Sequence, residues 1–275
     1  MKFRNILLFS DMDGTLVSSD GKISEENIRA VNYFMSEGGR FAVATGRGVW
    51  NMGDFFKSIK PNMPVICLNG SEIYNPENGE VIYETNIDSS VRQAAKLALE
   101  KIPHIGIVVK ALKDAYILND APGARHYAKR CQKPFEMCLL GDIKENLVIL
   151  GIWGENKKDT EDIVEFVKGN QFASEGRWVR VDECVYEYVP KAADKGLALL
   201  ERKKEYSNCI IVAVGDNDND ILMLKNADVG FAVKNATIET KNSADYVLES
   251  SNNENPIAEV IKIIEERGIW KLLQK

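Results

Sequence analysis

The chain has 275 residues, 45% of them hydrophobic, and a formal charge of −6 at pH 7. That length suits two buried cores at domain sizes of roughly 100 to 200 residues, and the acidic balance excludes a general nucleic-acid binder, which needs a basic surface against phosphates. No segment approaches the roughly 20 apolar residues of a membrane helix, and the five cysteines, Cys67, Cys131, Cys138, Cys184 and Cys209, contain no CxxC pair that would signal a disulfide framework or a zinc site.

The first predicted element is the apolar run Ile6-Leu7-Leu8-Phe9, a buried strand that leads into Asp11-Met12-Asp13-Gly14-Thr15-Leu16. Two carboxylates so close repel each other as anions, which raises the pKa of one unless a cation lies between them. With a cation such as magnesium in place, one carboxylate is a bare nucleophile and the other can give and take a proton, an arrangement suited to phosphoryl transfer. The same residues also make an ordinary surface turn, so the segments downstream decide. Ser24 caps a helix with Glu25 and Glu26 in its first turn, Ile28, Val31, Phe34 and Met35 on one face, and Gly38 at its end.

Phe41 to Ala44 reads as a second strand ending at Thr45-Gly46-Arg47, and Val65 to Leu68 as a third. Ile73 to Tyr83 reads as a hairpin with Asn78-Gly79 at its tip. From Thr85 the pattern becomes mixed, with a helix over Ser89 to Lys101, strands at Ile105 to Val109, Ala115 to Leu118 and Leu147 to Trp153, a helix over Thr160 to Lys168, and a strand at Arg177 to Val181. The earlier plan resumes near Pro190, where Asp194-Lys195-Gly196 precedes the buried strand Cys209 to Val214 and the acidic loop Gly215-Asp216-Asn217-Asp218-Asn219-Asp220. Strands at Val229 to Val233 and Tyr246 to Leu248 and a helix from Pro256 close the chain. Alternating strands and helices are the mark of βαβ units and a parallel sheet.

Three acids within six residues at a strand end call for a compensating cation, and magnesium prefers a few carboxylates with water and phosphate oxygens. A calcium loop of the EF-hand type does not fit: the glycine it needs is replaced by Ile221, and position twelve is Ala227 rather than Glu.

Asp11-Met12-Asp13-Gly14-Thr15, Val43-Ala44-Thr45-Gly46-Arg47, Asp194-Lys195-Gly196 and Gly215 to Asp220 occur in the order of the four motifs of the haloacid dehalogenase (HAD) superfamily. Together with Cys67-Leu68-Asn69-Gly70-Ser71, Ala227-Asp228-Val229-Gly230 and Ser251-Asn252-Asn253, the chain resembles its Cof-like phosphatases (type IIB, C2-capped). The resemblance implies an α/β fold in which a Rossmann-like parallel-sheet core, residues 1–84 and 190–275, carries an inserted α/β cap of the C2 type, residues 85–189. Glu84 and Pro190 are then the candidate hinges, and cap closure would exclude water from the first step and admit it for the second.

By this resemblance Asp11 is the nucleophile and a metal ligand, and Asp13 is the acid and base, its main-chain carbonyl also on the metal. Lys195 neutralises the nucleophile and the phosphoryl group. Asp216 binds the metal, and Asp220 binds it or orients the site. Thr45, Gly46, Arg47, Lys195 and Asn219 are expected on the substrate phosphate. The one departure from the family pattern is Lys234-Asn235-Ala236, where a small residue usually precedes Asn-Ala, so an altered loop on the substrate side is expected there.

The expected activity is magnesium-dependent hydrolysis of small phosphorylated metabolites, such as sugar phosphates, through an aspartyl phosphate. A phosphomutase would use the same aspartates, and a binding protein that kept a phosphate pocket is the non-enzymatic alternative. Asp13 argues against a dehalogenase, and the absence of membrane helices against a transport ATPase. His104 and His126, both in the insert, are not expected in the chemistry. Trp153, Arg177, Trp178, Arg180 and Tyr186 are the cap residues that could read the substrate. A cytoplasmic protein with no signal peptide, monomeric or weakly homo-oligomeric, without nucleic-acid or membrane partners, is expected.

Overall fold

The computed structural model describes residues 1–111, 113–169, 175–206 and 208–274, without the side chains of residues 53 and 54. The first elements in chain order are β1 (Ile6–Ser10), α1 (Glu25–Ser36), β2 (Arg40–Val43), α2 (Gly53–Ser58), β3 (Val65–Cys67), β4 (Glu72–Asn75) and β5 (Glu80–Glu84). The chain continues through α3 (Asp88–Lys101), β6 (Gly106–Ala111), β7 (Ala115–Ile117), α4 (Pro122–Arg130), β8 (Leu147–Trp153), α5 (Lys157–Gly169), β9 (Gly176–Asp182) and β10 (Val185–Pro190). It ends with α6 (Lys195–Glu205), β11 (Ile210–Gly215), α7 (Ile221–Asn226), β12 (Val229–Ala232), α8 (Ile238–Ser243), β13 (Tyr246–Val247), α9 (Pro256–Arg267) and α10 (Ile269–Leu272). These elements form two compact units. One comprises Met1–Arg47, Met52–Tyr83 and Asp194–Lys275, and the other Gly48–Asn51 and Glu84–Ala193.

The first unit is built on a parallel sheet in the order β13-β12-β11-β1-β2. All five residues of β1 are buried, as a parallel strand between two helical layers requires. β1 pairs with β11 from Ile6 opposite Ile210 to Ser10 opposite Val214, and with β2 on its other side. The chain order therefore reverses between β1 and β11. In open α/β sheets such a reversal leaves a crevice at the carboxyl ends of the two strands, which is where ligands bind. Asp11 and Asp216 follow those two ends directly.

The helix over Glu25–Ser36 begins as expected, with the Ser24 side chain accepting from the Asn27 amide, and it buries Val31 and Phe34. Near Val65 the outcome differs. β3 stops at Cys67 because Leu68 already adopts positive φ. It belongs to a small sheet β3-β4-β5 and meets the parallel sheet only through a parallel bridge between Ala44 and Ile66. The hairpin that follows has Gly79 at φ +76°, its amide donating to the Asn75 carbonyl, so the Asn-Gly signal did mark its turn.

The second unit is an antiparallel sheet in the order β7-β6-β8-β10-β9. One of its cores joins Val91, Ala95 and Ala98 of α3 to Ile107, Val109, Leu150 and Ile152 of the sheet and to Ile163 and Phe166 of α5. A second core sets Ala124, Tyr127 and Ala128 of α4 against Val108, Ile117 and Trp153. α4 and β10 had no counterpart in the sequence reading. The buried face of α4 is made of Gly123, Ala124, Tyr127 and Ala128, mostly too small to register as an apolar stripe, and β10 is interrupted by Glu187. Among the described residues no helix is long and apolar enough to cross a membrane.

Candidate active site

The site is assembled within the first unit. β1 continues into its loop through the Asp11 amide, which donates to the Val214 carbonyl at 2.9 Å and so fixes Asp11 beside the end of β11. The chain then turns at Gly14, whose φ is +90° and where a Cβ would lie 2.6 Å from Asp216 Oδ2. Only glycine combines that backbone with that approach. The next residue, Thr15, donates its hydroxyl to Asp216 Oδ1 at 2.7 Å, so the two motifs are stitched together.

Lys195 Nζ donates to Asp11 Oδ1 at 2.6 Å and to Asp220 Oδ1 at 2.7 Å. All three are buried, Lys195 to 1% exposure and Asp220 to 0%. Local rules put the lysine there. Asp194 caps α6 by accepting from the amides of Gly196 and Leu197, which starts the helix with Lys195 at its first position. Asp194 in turn packs against Gly70, at φ +91°, where a Cβ would stand 2.4 Å from the Asp194 carbonyl oxygen. Asp220 uses its second oxygen to accept from the amides of Asp216 and Asn217 at 3.0 and 3.1 Å. Both oxygens of Asp220 are thus engaged in holding the lysine and the acidic loop.

Oxygens of Asp11, Asp216 and Asp220 lie within 4.8 Å of one another. Burial pushes the Asp11 carboxyl well above the usual carboxylate range; the Lys195 ammonium opposes this, and the Asp220 and Asp216 charges add to it. Asp216 is pushed up to about 6, by burial first and by Asp220 second, with the Thr15 hydrogen bond pulling the other way. For Lys195, burial works against the charged form, yet Asp11 and Asp220 outweigh it and the pKa is raised. This is an ammonium held by anions that are in excess. Hard oxygen donors in excess over the one cation suit a divalent ion such as magnesium. Removing one partner of a buried ion pair leaves an uncompensated charge at a cost of about 3–5 kcal/mol. Lys195→Met is accordingly expected to lower the urea midpoint at pH 7.5 by that equivalent, whereas an unchanged midpoint would mean that the lysine is not holding these anions.

Asp13 stands apart from this group. Its carboxylate accepts from Arg47 Nε at 2.9 Å and Nη2 at 2.7 Å, a two-point ion pair with both side chains partly exposed. Thr45 is buried, and its hydroxyl accepts from the Arg47 amide at 3.1 Å. Gly46 lies against the Asn69 carboxamide, which a Cβ would approach at 3.3 Å, and Asn69 Oδ1 accepts from Asn219 Nδ2 at 3.0 Å. Thr45, Gly46 and Asn219 are therefore joined through Asn69, a residue that the sequence reading did not assign to the site. The Asn69-Gly70 dipeptide after an apolar run was the available signal. Leu68 and Asn69 both have positive φ, 49° and 55°, a conformation costing on the order of 1–2 kcal/mol per residue.

In the Lys234-Asn235-Ala236 segment, Asn235 donates to the Gly14 carbonyl at 2.8 Å and accepts from the Asn252 amide at 2.8 Å, bracing the turn that carries the aspartates. In the second unit, Trp178 packs between Phe166 and Tyr188, and Tyr186 borders the same core. Trp153 packs on Tyr127. Arg177 donates to the Ala193 carbonyl, and Arg180 to the carbonyls of Asp182 and Glu183. These five side chains serve the unit's own packing and strand ends. His104 is engaged by Asp162 at 3.1 Å.

A family profile for haloacid dehalogenase-like hydrolases matches residues 8–261. The chain is 27% identical over 285 aligned positions, 92% of its length, to a protein of Arabidopsis thaliana named chloroplastic endoribonuclease YBEY, but it spans only 45% of that protein. It is 22% identical to the 5-amino-6-(5-phospho-D-ribitylamino)uracil phosphatase YitU of Bacillus subtilis, covering 95% of this chain and 98% of the relative. Among solved structures, a haloacid dehalogenase-like hydrolase from Bacteroides thetaiotaomicron superposes with a TM-score of 0.84 at 24% identity, over 96% of this chain and 100% of that one. With the parallel sheet, its switch point and the four motifs in place, the chain belongs to the haloacid dehalogenase superfamily of hydrolases, in its Cof-like branch.

Proposed function

We propose that this phosphatase hydrolyses small phosphate monoesters with the help of magnesium, in two steps at Asp11. The observation that carries the proposal is the buried arrangement of Asp11, Lys195 and Asp220 beside Asp216, with acids in excess of the one ammonium. Asp11, Asp216 and the Asp13 main-chain carbonyl are the groups suited to hold the ion. When bound, magnesium would supply positive charge that keeps Asp11 ionised and offsets the charge of the transferring phosphoryl group.

In the first step an Asp11 oxygen forms a bond to phosphorus while the bond from phosphorus to the ester oxygen breaks. Asp13 gives that oxygen its proton, so the alcohol leaves neutral. In the second step Asp13 takes a proton from water, the water oxygen bonds to phosphorus, and the acyl phosphate breaks to return the Asp11 carboxylate and inorganic phosphate. Lys195 balances the charge on Asp11 throughout. Arg47 is paired with Asp13 at rest and offers a planar two-point donor that fits a phosphoryl group equally well. The Thr45–Arg47 loop and Asn219 are the proposed phosphate contacts. The second unit is proposed to select the alcohol portion, and the crossings near Glu84 and Pro190 to act as hinges.

The test is release of phosphate from a panel of sugar, polyol, nucleoside and ribityl phosphates, with magnesium or with chelator. Turnover that needs the metal supports the reading; a folded protein that binds magnesium and releases no phosphate from any ester would overturn it. Arg47→Ala is expected to lower kcat/KM by about 10- to 100-fold. Since the pair it breaks is partly exposed, the melting temperature should change little. A kcat/KM within twofold of wild type would remove Arg47 from the site.

A further inference from the structure

We infer that the turn Leu68–Asn69–Gly70 is a positioning element for the phosphoryl contacts, with the Asn69 carboxamide setting both Asn219 and the Thr45–Gly46 loop. The inference rests on the reading that this loop and Asn219 face the transferring group. Three successive residues of the turn have positive φ, 49°, 55° and 91°, and all three are buried. Two of them carry a Cβ, so the backbone is held against its preference. Such outliers persist only where the surroundings over-determine them, and they gather at functional sites.

The conformation fastens three segments at once. The Leu68 amide donates to the Arg47 carbonyl at 3.0 Å, and the Asn69 amide to the Thr45 carbonyl at 2.9 Å, pinning both ends of the loop that contains Gly46. The Asn69 carboxamide lies close to Gly46 and accepts from Asn219. Gly70 leaves room for the Asp194 backbone that starts the helix of Lys195. A relaxed turn would end the strand as well, but it would not hold these segments together. With one Asn219 N–H given to Asn69, that amide has a fixed orientation, and its other N–H has no partner among the described residues. Asn69 thus acts through Asn219 and the loop as a positioning residue.

Glycine adopts positive φ without cost, so Asn69→Gly keeps the turn and deletes only the carboxamide. The experiment measures binding of inorganic phosphate by calorimetry, in magnesium, together with kinetics on the best ester and thermal melting of the full chain. Asn69→Gly should melt at or above wild type, bind phosphate about tenfold more weakly and raise KM by about as much, with kcat within about threefold. Because Asn69 acts in part through Asn219, Asn69→Gly combined with Asn219→Ala should lose less phosphate affinity than the product of the two single losses. Asn69→Asp, which also tolerates the turn and still accepts from Asn219, should weaken phosphate binding at least tenfold through like charge.

Phosphate binding within twofold of wild type in Asn69→Gly or Asn69→Asp would overturn the inference. So would losses that multiply in the double variant, or a fall in melting temperature that accompanies the loss of affinity. A wild-type protein that neither binds phosphate nor hydrolyses an ester would overturn the underlying reading and this inference with it.

Discussion

Asp11→Asn is expected to abolish phosphomonoester turnover, a loss on the order of 10⁴-fold or more, as for other catalytic nucleophiles. The amide keeps the volume of the carboxylate but cannot form the bond to phosphorus. The fold should survive, because Lys195 retains Asp220 at 2.7 Å. Asp13→Asn should behave differently. It removes a proton donor, so its cost should be large for alkyl phosphates, whose leaving oxygen needs the proton, and small for an aryl phosphate with a good leaving group. Steady-state assays of both variants on the two ester types check this. Equal losses on both esters in Asp13→Asn would assign Asp13 a role other than acid and base, and Asp11→Asn with more than about a hundredth of wild-type activity would contradict the nucleophile.

The second large effect is on stability. Asp11 and Asp216 have folded-state pKa values raised above those of ordinary aspartates, Asp216 to about 6. For a carboxyl raised in this way, the folded state binds more protons than the unfolded chain, so its contribution is present at low pH and is lost as pH climbs from about 4 through the folded value. The metal-free protein should therefore lose stability between about pH 4 and 6 from Asp216, and further from Asp11. A bound divalent cation reverses this by favouring the ionised carboxylates. At a concentration 100 times its dissociation constant a ligand stabilises by about 2.7 kcal/mol, which for a chain of this size is a melting shift of roughly 5–10 °C.

Magnesium should raise the melting temperature by that amount at pH 7.5 and by much less at pH 5. Asp216→Asn makes the test sharper, since without a cation it should melt above wild type at pH 7.5, one partly buried charge having been removed, and its response to magnesium should vanish. Equal magnesium shifts at both pH values, or a shift that survives in Asp216→Asn, would count against the proposed ligand set.

Much of the first unit was legible because its signals are local. A continuous apolar run followed by Asp-x-Asp-Gly-Thr marks a parallel strand end, and Gly14 is required there both by φ and by the approach of Asp216. The capping residues Ser24 and Asp194 could be read in the same way. What could not be read depends on contacts distant in sequence. Asn69 meets Asn219 across 150 positions, and Asn235 meets Gly14 across 221. No periodicity reports such pairs. The pairing of Asp13 with Arg47 was likewise invisible, because each residue alone has an equally good use on a substrate or a metal. In the second unit, α4 escaped because alanine and glycine pack closely without forming a visible hydrophobic stripe, and Trp153 and Trp178 pack on Tyr127 and Phe166.

A covalent intermediate on Asp11 is detected by acid quenching within the first turnovers followed by peptide mass spectrometry, with ¹⁸O-labelled water run in parallel. A phosphorylated peptide containing Asp11 is expected, absent from Asp11→Asn, with ¹⁸O from water entering the released phosphate and none entering the Asp11 carboxylate. Steady turnover with no phosphorylated Asp11 peptide at any quench time, and label delivered to phosphate all the same, would mean that water attacks the ester directly and that the aspartate is not the nucleophile.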